Sequence, residues 1–237
     1  MRGSNVDERL ISDRFPLASR YHPEWVLAGV SGAANPLWMA EWLSESLNLQ
    51  PGMRVLDLGC GRAMSSVFLH REFGVQVWAT DLWFNASENL QRIRDAGIED
   101  GVFPIHADAR SLPFAADFFD AVVSIDSFFY YGTDELYLNY LARFVKPGGR
   151  VGIAGAGLIH MDIEVADTLP DGWRLWLDWL RLVAPDNATE IRALESDSGS
   201  HLGYVRVVGR RRAETQLSEP IVSAPMHYER KPLLRGH

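Results

Sequence analysis

The chain has 237 residues, 47% of them hydrophobic, and a formal net charge of −8. That supplies apolar material for one domain of α/β size, and an acidic balance argues against a general nucleic-acid binder, which needs a basic surface to displace counterions. No apolar run reaches the ~18–20 residues of a membrane-spanning helix, and the single cysteine, Cys60, excludes an intrachain disulfide.

The opening MRGSNVDERL has no apolar stretch of the secretory-signal kind, so a cytoplasmic protein with no membrane partner and no metal is expected. Residues 1–34 read as an N-terminal arm, polar and mixed over residues 1–20. Residues 35–47, NPLWMAEWLSESL, have helical spacing: Leu37, Met39, Ala40, Trp42, Leu43 and Leu47 share a broad apolar side, and QPGM stops the helix. A rhythm of strands and helices follows. Strand 54–58 leads to helix 63–73 and Gly74, strand 75–80 to helix 86–96 and Gly97, then come strands 102–107 and 121–125. Thr133 reads as an N-cap with Asp134 and Glu135 in the first turn of a helix that runs to Phe144. KPGG stops it, and 151–154 is the fifth strand.

Apolar strands alternating with helices predict an α/β fold, a doubly wound, mostly parallel sheet with helices on both faces. Ligands of such sheets lie beyond the carboxyl ends of the strands, where strand order reverses. Farther on, 159–166 reads as another strand, and 204–209 as an antiparallel last strand. Between them, Trp173, Trp176 and Trp179 lie three apart in residues 171–183, a spacing that faces a core or a second copy in a homo-oligomer. Only residues 155–158 separate the fifth strand from 159–166, whereas a parallel crossover needs about a dozen residues or more. Either the two runs form a hairpin, or a segment is missing near residues 157–160. The domain is thus expected over 35–212, with a shortened cap near 157–160, and a tail over 213–237.

The stretch that carries the chemistry is VLDLGCGRA, residues 55–63. Gly59 and Gly61 permit backbone angles closed to other residues. A dinucleotide turn, G-x-G-x-x-G, seats a pyrophosphate on the helix N-terminus, but its third glycine position is Met64 here. Asp57, two residues before Gly59, would repel a pyrophosphate and suits a ligand carrying an ammonium group.

VLDLGCGRA resembles the first motif of the Rossmann-like S-adenosylmethionine-dependent methyltransferases, with Ala63 at the third small position instead of glycine. The resemblance covers about residues 35–156, with four motifs in order. It implies S-adenosyl-L-methionine as cofactor and S-adenosyl-L-homocysteine as product. Asp57, Gly59, Cys60 and Gly61 would hold the amino-acid end. Asp81, in VWATDLW, would accept from the ribose hydroxyls, as a carboxylate suits a diol, with Leu82 and Trp83 against the adenine. Asp108, in HADARSLPF, would receive the adenine amino group, with Ala109 beside it. Each acid taken singly also fits a plain capping role. Asp126, in FDAVVSIDSFFYYG, would lie near the transferred methyl, or else cap Phe128. Tyr130 is the second positioning candidate at the methyl. Tyr21 and His22 of YHPEW, with Phe129 and Tyr131, are candidates for acceptor contact, since an arm often folds over the cofactor in this family. Relatives carry a histidine where this chain has Phe129, so no base is expected from that loop.

The implied function is methyl transfer to a small molecule by in-line displacement, which requires alignment and exclusion of water and a base only where the acceptor must lose a proton first. Two alternatives stay open: a non-catalytic adenosyl-binding module with a defective cap, and an NAD-dependent oxidoreductase.

Overall fold

The computed structural model describes residues 8–32, 34–134, 136–159, 166–214 and 217. Among them, seven strands form one sheet: β1 (Arg54–Leu58), β2 (Gln76–Asp81), β3 (Val102–His106), β4 (Phe119–Ile125), β5 (Val145–Leu158), β6 (Ala166–Thr168) and β7 (Leu202–Arg210). Their order is β3-β2-β1-β4-β5-β7-β6. β1 to β5 pair in parallel, and β7 runs antiparallel between β5 and β6. Strand order reverses between β1 and β4, so the loops leaving those two strands diverge and open a crevice.

The helices are α1 (Pro23–Ala28), α2 (Pro36–Ser44), α3 (Met64–Phe73), α4 (Ala86–Asp95), α5 (Tyr137–Ala142), α6 (Gly172–Val183) and α7 (Ala188–Asp197). On one face of the sheet Trp38 of α2, Phe68 of α3, Ile93 of α4 and Trp179 of α6 join a single core. On the other face Tyr137, Tyr140 and Leu141 of α5 pack with Leu56, Leu58 and Val122. Asn35 starts α2, its Oδ1 accepting from Leu37 N at 3.0 Å, and Pro36 takes the first-turn position where no N–H is needed. α3 begins at Met64, one residue later than its sequence suggests, because Ala63 adopts a left-handed φ of 60°. None of the described helices is long and apolar enough to cross a membrane.

The tryptophan stripe of α6 faces the core. The Trp179 ring lies 6.2 Å from that of Trp38, and Trp176 stacks on Tyr204 at 6.0 Å. The helix expected from Thr133 is shorter and starts later: a turn in which Asp134 Oδ1 accepts from Leu136 N at 2.8 Å precedes Tyr137. Glu135 lies outside the described residues.

The end of the sheet corrects one expectation. No hairpin joins β5 to the next strand, because β7 lies between β5 and β6, which therefore run parallel to each other. β5 is continuous through Gly157 and Leu158, which pair with Gly203 and Leu202. Residues 160–165, where most of the expected strand 159–166 falls, lie outside the described residues, as do His160 at the end of the stretch 157–160 where a missing segment was expected and nearly all of the tail. Beside this connection the sheet is thinly covered among the described residues. Ile153, Val205 and Val207 belong to neither apolar cluster, and Val207 is 37% exposed.

This packing sets a contrast in stability. Trp179→Ala, at a side chain 1% exposed, should destabilise by about 3–5 kcal/mol in denaturant unfolding. Val207→Ala should cost less than about 1 kcal/mol. Equal costs at the two positions would contradict the assignment of the core.

Candidate functional site

A cleft opens at the carboxyl ends of β1 to β4. Gly59, Cys60 and Gly61 line it from the turn after β1. Gly59 and Gly61 have φ of +75° and +54°, the left-handed region. A Cβ on Gly59 would collide with Ser127 Oγ, and one on Gly61 with Ser31 Oγ. The two glycines thus admit neighbouring loops of the protein itself. Gly59 N and Cys60 N both donate to Thr80 O, at 2.8 and 3.1 Å, which ties the turn to β2. The Cys60 thiol is buried, and burial pushes it well above its ordinary value, so it is no nucleophile at neutral pH.

Asp81 closes the turn from the β2 side. Its Oδ2 accepts from Gly61 N at 2.8 Å, and Oδ1 accepts from Trp83 N and Phe84 N at 2.7 and 3.0 Å. Asp108, at the exit of β3, lines the same cleft, and its Oδ1 accepts from Arg110 N at 2.8 Å. Leu82, Trp83 and Ala109 lie beside these two acids in the cleft wall.

Asp57 is placed differently from expectation. It is 0% exposed and does not line the cleft. Its Oδ2 accepts from Ser65 and Ser66 Oγ, each at 2.6 Å, while Oδ1 is buried without a hydrogen-bond partner. The cause is strand alternation: Asp57 points into the face covered by α3, where the first-turn serines meet it. Ser65 does line the cleft, so the Asp57 charge reaches a ligand at one remove. Burial lifts the Asp57 carboxyl to about 6, the two serine bonds pull it down, and the Asp81 charge raises it.

After β4, Asp126, Ser127, Tyr130 and Tyr131 complete the wall. Asp126 has a φ of 50°, and its Oδ2 accepts from Ala34 N at 3.0 Å. It therefore fastens the arm over the cleft instead of capping Phe128. A Cβ on Gly32 would reach within 2.8 Å of Asp126 Oδ2, and one on Gly155 within 3.3 Å of Oδ1. Tyr130 meets Trp83 edge-on, ring centroids 4.7 Å apart, across the mouth. Arg110 holds that loop from the β3 side, Nη2 donating to Tyr130 O at 3.1 Å. Phe129 does not line the cleft; it packs on Tyr130 at the rim and is 51% exposed. The Tyr131 hydroxyl is taken up by the protein itself, donating to Leu58 O at 2.9 Å.

The arm reaches the cleft through other residues than expected. Tyr21 and His22 lie in a separate depression with Arg71 and Glu72. Tyr21 packs on Phe68, and its hydroxyl donates to Glu72 Oε1 at 3.0 Å; His22 caps α1, its Nδ1 accepting from Glu24 N. The aromatic content of YHPEW serves packing on α3. Ser31, Gly32 and Ala34 are the arm residues that line the cleft, and Pro36 at the start of α2 joins them. The one available signal was the small-residue run SGAANP just ahead of a helix start, which lets backbone approach a ligand site closely.

Residues 55–149 match the family model described as a methyltransferase domain. That stretch is thus similar to a methyltransferase domain. The similarity is to S-adenosylmethionine-dependent proteins, which counts against the nicotinamide alternative. Methyltransferase GfsG of Streptomyces halstedii is 37% identical over 134 residues, 56% of this chain and 46% of that protein. The demethylmenaquinone methyltransferase of Corynebacterium efficiens is 35% identical over 115 residues, 46% of this chain and 44% of that protein. The chain spans about half the length of these curated relatives. Among solved structures, the geranyl diphosphate C-methyltransferase of Streptomyces coelicolor, in complex with S-adenosyl-L-homocysteine, shares the fold with a TM-score of 0.61 at 23% identity, covering 73% of this chain and 74% of that one. The [4+2]-cyclase SpnF shares it too, with a TM-score of 0.58 at 17% identity over 78% of this chain and 84% of that one, so the fold alone does not name a reaction.

The cleft fits S-adenosyl-L-methionine in donor chemistry. Three carboxylates, Asp81, Asp108 and Asp126, line one cleft, and a buried fourth, Asp57, lies behind Ser65. Such a set attracts an ammonium–sulfonium ligand and repels a diphosphate. Asp81 already takes three backbone N–H bonds, which leaves one of its roughly four lone-pair sites for a ribose hydroxyl.

The raised Asp57 carboxyl has a consequence for stability. The folded state holds its proton up to about pH 6, while the unfolded chain releases it near the ordinary value of 3.8. Between those values the folded state binds more protons, so this contribution to stability is present at low pH and is lost as pH rises through 6. Wild-type protein should therefore gain about 1–3 kcal/mol relative to Asp57→Asn between pH 7 and pH 4. Denaturant unfolding of both proteins across that range measures it, and a difference that does not change with pH would contradict it.

Proposed function

We propose that this chain transfers the methyl group of S-adenosyl-L-methionine to a small molecule by in-line displacement. The carrying observation is that Asp81 and Asp108, at successive strand tips, open onto one cleft that continues to Asp126 and Tyr130. When bound, the cofactor supplies an electrophilic methyl on a sulfonium sulfur. Asp81 accepts from a ribose hydroxyl, Asp108 receives the adenine amino group, and Leu82 and Trp83 cover the base. The Gly59–Gly61 turn receives the amino-acid end, with Asp57 acting through Ser65. The Trp83–Tyr130 pair and the arm residues Ser31, Gly32 and Ala34 exclude water from the reacting centre.

The acceptor enters beside the loop after β4. There the rim is apolar: Trp83, Phe129 and Tyr130 are 68%, 51% and 53% exposed. That surface favours an apolar or ring-bearing acceptor. Among the described residues no histidine or lysine lines the cleft, and Asp126 is its carboxylate on the β4 side. Asp126 is already engaged with Ala34 N, so it orients, and acceptors that are already nucleophilic are favoured.

The brevity of the β5–β6 connection favours one rival, a binding module that holds the cofactor without turnover. Calorimetry with S-adenosyl-L-homocysteine, followed by product-release assays over a panel of apolar amines, carboxylates and phenols, separates the two. Turnover with any acceptor supports the enzyme, and binding with no turnover across the panel supports the module. Asp108→Ala should weaken S-adenosyl-L-homocysteine binding about tenfold, with a melting temperature within a few degrees of wild type, because its observed carboxylate bond is a local one to Arg110 N. An unchanged affinity would remove Asp108 from the cofactor site.

A further inference from the structure

The carbonyl of Leu58 is the last group of β1 before the cofactor turn. The β1–β4 ladder ends one residue earlier, at Asp57 and Val123, so no strand N–H reaches that carbonyl from the β4 side. Two hydroxyls take the position instead. Ser127 Oγ and Tyr131 Oη both donate to Leu58 O, each at 2.9 Å. Ser124 Oγ lies 2.9 Å from Ser127 Oγ and 2.8 Å from Tyr131 Oη. The proton count closes: two hydroxyl protons go to the carbonyl, and the third runs from Ser124 into one of the other two oxygens. All three groups are buried, at 1%, 9% and 8% exposure for Ser124, Ser127 and Tyr131. Burial also raises the Tyr131 hydroxyl, which therefore stays a donor at any physiological pH.

We propose that Ser127 and Tyr131 are positioning residues, whose paired hydroxyls saturate the Leu58 carbonyl and so set the cofactor turn against the loop that faces the acceptor. The geometry is directional. Gly59 and Cys60 hang from Thr80 O on the β2 side, and Leu58 O is clasped on the β4 side, so the turn is suspended between two strands. Gly59 admits the clasp, since a side chain there would collide with Ser127. The same loop carries Phe129 and Tyr130, and Tyr130 meets Trp83 across the cleft mouth. The cluster thus joins the cofactor half of the cleft to the acceptor half through one carbonyl. The inference rests on the cofactor assignment and on no particular acceptor.

Binding of S-adenosyl-L-homocysteine, measured by calorimetry beside the melting temperature, tests it in wild type, Ser127→Ala, Tyr131→Phe and the double variant. Tyr131→Phe keeps the ring against Phe128 and Tyr137 and removes only the donor. Each single variant should raise Kd about threefold to fivefold, the scale of one net hydrogen bond. The double variant should raise it by more than the product, because each hydroxyl covers for the other. A role in folding alone would lower the melting temperature and leave the Kd of the folded protein unchanged, which would overturn the proposal. If the double variant does not fold, Tyr131→Phe decides by the same criterion. Wild-type protein that fails to bind would sink the cofactor assignment itself, and this inference with it.

Discussion

The cofactor half of the cleft depends on one carboxylate. Asp81 receives N–H groups from Gly61 on one loop and from Trp83 and Phe84 on another, so a single side chain fixes the exits of β1 and β2 relative to each other. A buried carboxylate is tolerable only when its lone pairs are taken. At 9% exposure, Asp81 satisfies that condition largely with backbone donors. The left-handed glycines, the Thr80 bonds and the placing of Trp83 at the mouth all follow from where this anchor lies.

The arm is a second constraint, pinned at both ends by side chains of the domain it covers. Arg62 and Arg92 converge on the Ala28 carbonyl at the end of α1, at 3.4 and 3.0 Å, where cationic donors suit the helix terminus. Asp126 holds the other end through Ala34 N. Between these pins Ser31 passes over Gly61, close enough that only glycine fits there. The arm therefore acts through backbone approach, while its Tyr21 packs on Phe68 of α3 and its Phe15 on Trp38 of α2.

The acceptor side is less determined by this scaffold. The last three strands in spatial order, β5-β7-β6, place antiparallel β7 where a parallel neighbour would demand a long crossover. The apolar side chains of Ile153, Val205 and Val207 stay outside both cores. Neighbours of the same fold include methyltransferases and a cyclase, so identity of the acceptor is a property of this region and of the loop after β4, and not of the sheet.

What the sequence by itself determined was periodic or local. Apolar runs alternating with helical spacing gave the sheet and its helices, since both signals arise within a few residues. VLDLGCGRA marked the turn because glycine is required where φ is positive, and Asp81 and Asp108 were legible as acids at strand ends. Tertiary structure alone decided which way each acid points and what meets it. Asp57 turned inward to Ser65 and Ser66, eight and nine residues away, because alternation aimed it at α3. Asp126 became the fastening of an arm 92 residues distant. Tyr21 and His22 went behind the domain, and the hydroxyls of Ser127 and Tyr131 found a carbonyl 69 and 73 residues away. Such pairings depend on how strands are ordered and helices stacked, and apart from Asp57 and its two serines no single window of sequence contains both partners.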